Sequence, residues 1–105
     1  MGFGAIGYHR LAPRGEPGVK PRILIVEDEP AIADTIQHVL ESEGLDTVRS
    51  ATGRAVPELL ASGVDLILLD IGLPDVSGFD LLREIRKTHA TPVIFLTART
   101  EELDR

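Results

Sequence analysis

The sequence predicts an α/β domain, a doubly wound parallel sheet with helices on both faces. Two observations predict it. From residue 22 onward, apolar runs rich in β-branched residues alternate with segments of helical period, in the order β-α-β-α-β-α-β. One of those runs, Val64-Asp65-Leu66-Ile67-Leu68-Leu69, lacks the alternation of a half-exposed strand, so it is expected to be covered on both faces, as in parallel sheets. Strands joined by helices in this way wind by right-handed crossovers, and ligands then sit at the carboxyl ends of the strands.

The elements follow in order. Ile23-Leu24-Ile25-Val26 reads as a buried strand. Pro30 stands where a first helical residue is allowed to lack its N–H. Ile32, Ile36, Val39 and Leu40, at i, i+4, i+7 and i+8, then mark one apolar helical face, and Gly44 is placed to end the helix. Residues 47–49 read as a short second strand. Residues 58–61 form a short helix with Pro57 in its first turn and Gly63 at its end. The long apolar run is the third strand. Ser77, with Asp80 three residues on, resembles a capping box. The helix that it opens presents Phe79, Leu82 and Ile85 as its buried face, and Thr91-Pro92 breaks it. Val93-Ile94-Phe95-Leu96 is a fourth strand, and a further helix is expected from about Thr100.

Composition bounds the function. A chain of 105 residues, 43% hydrophobic and 27% charged, suits one globular domain. Its apolar runs are strand-sized, far short of the roughly 20 residues needed to span a bilayer. The absence of Cys excludes disulfides and thiolate metal sites and fits a cytoplasmic location. The net charge is −6, although the first 22 residues carry four basic side chains (Arg10, Arg14, Lys20, Arg22) against the single acid Glu16. The body is therefore more acidic than the whole. An acidic body repels phosphate backbones, so direct nucleic-acid binding by this segment is not expected. Residues 1–21, rich in Gly and Pro and without period, read as a disordered N-terminal tail, and the domain proper covers residues 22–105. Glycines interrupt the early apolar stretch, which argues against a signal peptide. Val19 opens a stretch that reads like a normal protein start, and it is the expected initiation site.

The chemistry concentrates at strand ends. The first strand ends in Glu27-Asp28, the third in Asp70 and the fourth in Thr97. Each acid alone reads as a loop residue or a helix-capping group. A parallel sheet puts all of these ends on one edge, however, where the carboxylates converge with no Lys or Arg nearby in sequence. Crowded carboxylates repel and burial worsens this, so a hard cation relieves them; Mg²⁺ prefers such oxygen ligands.

The motifs are specific as a set. Ile23-Leu24-Ile25-Val26-Glu27-Asp28-Glu29 resembles the opening of the response-regulator receiver family. The segment from Asp65 through Asp70-Ile71-Gly72-Leu73-Pro74-Asp75-Val76-Ser77-Gly78 resembles its phosphoacceptor segment, and Pro92-Val93-Ile94-Phe95-Leu96-Thr97-Ala98-Arg99 its switch-threonine segment. The resemblance covers about residues 22–105. It implies a flavodoxin-like sheet of strand order 2-1-3-4, with the fifth strand and last helix missing. It further implies Asp70 as the nucleophile that forms an aspartyl phosphate. Glu27, Asp28 and Asp70, with the backbone carbonyl of Gly72, would hold Mg²⁺. Thr97 would contact a phosphoryl oxygen and switch, and the small Ala98 would leave access. Leu73-Pro74 and Gly78 would shape the loop into the third helix. The implied partner is a sensor histidine kinase, with a receiver homodimer possible in a full-length protein. The segment around Leu96-Thr97-Ala98-Arg99 looks most like receivers of winged-helix transcriptional regulators. The chain is not expected to be an enzyme or to meet a membrane.

Two enzymatic readings of a strand-end Asp, a dehalogenase-type phosphatase and a metal-dependent nuclease, want a second Asp two residues on, where this chain has Gly72. The remaining alternative is a truncated, non-switching receiver, an interaction module or a fragment without function. The family's strand-end Lys and aromatic switch residue would lie on the missing fifth strand. Without that strand, residues 93–96 are expected to form an exposed hydrophobic edge, and the chain to be poorly stable or oligomeric.

Overall fold

In the computed structural model of the chain, residues 19–96 are described. The elements are β1 (Arg22–Val26), α1 (Pro30–Ser42), β2 (Asp46–Ser50), α2 (Val56–Ala61), β3 (Leu66–Asp70), α3 (Gly78–Arg86) and β4 (Val93–Leu96). The expected tail of residues 1–21 lies largely outside the described residues, as do Thr97, Ala98, Arg99 and the helix expected near Thr100. The four strands form one sheet in the order β2-β1-β3-β4, with every pairing parallel. This is the order and direction that the sequence implies.

Alternation of side chains along the strands divides the interior into two faces. Register pairs Leu24 with Ile67 and Val26 with Leu69, and all four are fully buried. With Val56 and Leu60 of α2, Leu81 and Ile85 of α3, and Leu73 they make the main core, against which Val93 and Phe95 pack. The opposite face is narrower. There α1 lies over β1 and β2: Arg49 pairs with Asp34 at 2.5 Å, and Gln37 donates to Thr47 Oγ1 at 3.0 Å. Ala33 is the buried residue of α1, and the small side chain lets the helix approach the sheet.

Four sequence expectations need correction. First, Val39 is 51% exposed: the apolar face of α1 is centred on Ala33, with Ile32, Ile36 and Leu40 half-buried. Second, α3 buries Gly78, Leu81 and Ile85 rather than Phe79 and Leu82. Phe79 is half exposed and its ring lies 5.0 Å from that of Phe95, a tilted aromatic pair at the start of the helix. Third, Ser77 does cap α3, its Oγ accepting from Phe79 N at 3.1 Å, but Asp80 pairs with Arg83 along the helix, leaving the capping box half made. Fourth, the third strand is not evenly covered. Ile67 and Leu69 are buried, whereas Leu66 and Leu68 are half-buried, because α1 sits over the β1–β2 half of their face. On that same face Ile94 of β4 is 52% exposed. Elements start and end close to expectation, with Gly44 (φ +87°) and Gly63 (φ +97°) in the left-handed region just beyond α1 and α2.

Candidate functional site

The two central strands deliver the site. Val26 is in register with Leu69, so the chain leaves β1 at the level where Asp70 ends β3. Glu27 and Asp70 are buried, at 4% and 2% exposure, and Asp28 is half-buried. One carboxylate oxygen from each of Glu27, Asp28 and Asp70 can be chosen such that all lie within 4.8 Å of one another. Among the described residues this is the one such group of potential metal-ligating side chains.

Local hydrogen bonds hold these carboxylates in place. Glu27 N donates to Ser50 O at 3.0 Å, which carries the β1–β2 pairing one residue past the strand. Glu29 N donates to Glu27 Oε2 at 3.0 Å, folding the acidic turn back on itself before α1 begins. On the other strand, Gly72 N donates to Asp70 Oδ1 at 3.3 Å. The loop beyond is closed by an antiparallel bridge between Gly72 and Ser77 and by Gly78 N donating to Ile71 O at 2.9 Å. Gly78 is required there: a Cβ would fall 2.7 Å from Asp70 O and 2.9 Å from Ile71 Cα. The start of α3 thus rests directly on the backbone of the residue that ends β3.

Three hard oxygen donors converging on a partly dehydrated edge fit a small divalent cation such as Mg²⁺. The structure therefore brings together Glu27, Asp28 and Asp70, and sets Gly72 two residues beyond Asp70 at the same edge. Thr97 lies outside the described residues; the strand leading to it ends with Leu96 in register with Asp70.

Sequence reasoning missed two residues near the site. Asp75, at the tip of the loop after β3, accepts Gly53 N on Oδ1 and Arg54 N on Oδ2, each at 2.9 Å. These N–H groups, Gly53 foremost, hold the Asp75 carboxyl below the usual carboxylate range. Gly53 itself is buried against Val76, whose Cγ1 would stand 2.4 Å from a Cβ there. No local pattern announces either contact, since the partners lie more than 20 residues apart.

Comparison with known proteins gives a consistent result. The family described as "Response regulator receiver domain" matches residues 23–105. The transcriptional regulatory protein CpxR of Escherichia coli K12 is 42% identical over 84 residues, which cover 80% of this chain and 36% of CpxR. The transcriptional regulatory protein CreB of the same strain is 46% identical over 85 residues, 79% of this chain and 37% of CreB. The chain thus spans little more than a third of the length of these curated relatives. Among solved structures, the response regulator TrrA of Thermotoga maritima in complex with Mg²⁺ and beryllium fluoride superposes with a TM-score of 0.70 at 34% identity, covering 80% of this chain and 75% of that one. No helix among the described residues is long and apolar enough to cross a membrane.

Proposed function

Given that the chain belongs to the response-regulator receiver family, we propose that it is a phosphoacceptor module of a two-component system in which Asp70 takes a phosphoryl group from the phosphohistidine of a sensor kinase. The observation that carries this reading is the convergence of Glu27, Asp28 and Asp70 within 4.8 Å at the carboxyl edge of the sheet. The beryllium fluoride and Mg²⁺ bound to TrrA support it by likeness.

In this reading an ionised Asp70 oxygen attacks phosphorus in line. The O–P bond forms as the N–P bond breaks, and the imidazole, protonated on its other ring nitrogen, leaves with the electron pair. Glu27, Asp28, Asp70 and the carbonyl of Gly72 would hold Mg²⁺, which when bound offsets negative charge on the phosphoryl oxygens. Burial of Glu27 and Asp70 excludes water from one side of the acceptor and strengthens every charge interaction there. The hydrogen bond from Gly72 N holds Asp70 Oδ1 in place. The Thr97 hydroxyl would donate a hydrogen bond to an oxygen of the transferred group. The receiver unit is assigned to residues 22–105, and the chain acts as a signalling module rather than as a catalyst of its own. CpxR and CreB are named transcriptional regulatory proteins; in a longer cytoplasmic protein of that kind, phosphorylation of this module would control transcription through receiver pairing. The acidic body itself would not touch DNA.

The test is incubation of the purified chain with Mg²⁺ and a small acyl phosphate, read by intact mass. The parent should gain one phosphoryl group, and neither Asp70→Asn nor the parent with excess chelator should do so. A folded parent that gains nothing would overturn the proposal.

A further inference from the structure

The loop between β3 and α3 is fastened at both ends. Its base is the Gly72–Ser77 bridge and the Gly78 N–Ile71 O hydrogen bond. Its tip is Asp75, whose two oxygens each take a different backbone N–H, from Gly53 and from Arg54, at 2.9 Å. Those amides belong to the turn between β2 and α2. The residue that caps α2, Ala55, offers no side-chain acceptor, so the turn draws its acceptor from the loop across the groove. Leu73 anchors the loop in the core and Val76 closes over Gly53.

A carboxylate that engages two successive N–H donors fixes orientation as well as position. With base, core anchor and tip all held, the loop has little freedom left, and the freedom removed is that of Gly72, whose N–H holds Asp70. We infer that Asp75 is a positioning residue for the carboxylate site: by clamping the loop tip to Gly53 and Arg54, it holds Gly72 and Asp70 in the geometry that the cation requires. This rests on the function proposed above. Linkage makes the coupling reciprocal, so a cation at Glu27, Asp28 and Asp70 tightens the clamp at Gly53 and Arg54.

The experiment is a calorimetric Mg²⁺ titration of the full chain, parent, Asp75→Asn and Asp75→Glu, with circular dichroism to show that each is folded. Amide hydrogen exchange of the parent is measured with and without Mg²⁺. Asn keeps one acceptor oxygen and turns an NH₂ group toward the second N–H. Asp75 is not itself bonded to a ligand, so the Mg²⁺ Kd is expected to weaken by up to about tenfold, the lower end of what loss of a group bonded directly to a ligand does, with partial recovery in Asp75→Glu. In the parent, Mg²⁺ should slow exchange at Gly53 and Arg54 more than at Gly44, which is hydrogen-bonded to Glu41 O at the opposite edge. An unchanged Kd in folded Asp75→Asn, or exchange at Gly53 and Arg54 that slows no more than at Gly44, overturns the inference and leaves the proposed function standing. A folded parent that binds no Mg²⁺ overturns both. The exchange measurement needs no variant, so it decides the matter even if Asp75→Asn fails to fold.

Discussion

Replacing Gly78 by Ala sets two effects of opposite sign against each other. Ala favours a helix over Gly by about 1 kcal/mol in an interior position and by less at a first residue such as this. Against that, the new Cβ would lie 2.7 Å from Asp70 O, 2.9 Å from Ile71 Cα and 3.3 Å from Asp70 C. All three are backbone atoms at the end of a central strand, so none can yield as a side-chain tip would. Overpacking of this kind costs about 1–3 kcal/mol, and it exceeds the propensity gain. A net loss of about 1–2 kcal/mol lowers the melting temperature by roughly 5–15 °C in a domain of this size. The start of α3 must also back away from Asp70, which loosens the carboxylate site. Gly44→Ala is the control. It has open space around the new Cβ but a left-handed φ of +87°, so it should cost about 1–2 kcal/mol through backbone strain alone. Thermal melts followed by circular dichroism, with Mg²⁺ titrations of both variants, separate the cases: each should melt lower, and only Gly78→Ala should bind Mg²⁺ more weakly. A Gly78→Ala chain that melts at or above the parent with unchanged Mg²⁺ affinity would refute the packing argument.

Other outcomes follow from the same geometry. Asp28→Asn removes one of three crowded carboxylates and so relieves two repulsions across 4.8 Å or less, each about 1 kcal/mol with water-like and about 3 kcal/mol with protein-like screening. The metal-free variant should therefore melt higher than the parent while losing stabilisation by Mg²⁺, and a lower metal-free melt contradicts the repulsion. The Asp75 carboxyl is held below its ordinary value in the folded chain. Its stabilisation is thus present above about pH 4 and is lost as the pH falls through the folded value. The difference in urea midpoint between parent and Asp75→Asn should shrink below about pH 4, and a difference constant down to pH 3 would count against the clamp. Leu69→Ala, in the full core, should cost about 2–5 kcal/mol, whereas Ile94→Thr, on the half-open face, should stay within about 1 kcal/mol. Equal losses in urea unfolding would contradict the unequal burial of the two faces.

The parts of this structure that the sequence makes legible are those written in short runs. Ile23 to Val26 and Leu66 to Leu69 are too apolar to be anything but interior strands, and helices between them force parallel pairing. Once the sheet is parallel, Glu27, Asp28 and Asp70 have to meet. Helix faces are less legible, because periodicity selects a stripe without fixing its centre. In α1 the small Ala33 takes the buried line and leaves Val39 to solvent. In α3 the close approach of Gly78 rotates the helix so that Leu81 and Ile85 face inward, and Phe79 leans on Phe95 instead. The Asp75 clamp was illegible for a different reason. Its partners are backbone N–H groups in a distant turn, and a backbone group leaves no mark on the residue type that carries it.

Whether Asp70 accepts the phosphoryl group is decided by reductive trapping. After incubation with Mg²⁺ and an acyl phosphate, borohydride reduces an aspartyl phosphate to homoserine, and peptide mapping by mass spectrometry finds where. Homoserine is expected at position 70 alone, dependent on Mg²⁺ and absent when Asp28 is replaced by Asn. Label at Glu27, at Asp28 or at a residue remote from the strand ends, with Asp70 intact, would contradict it.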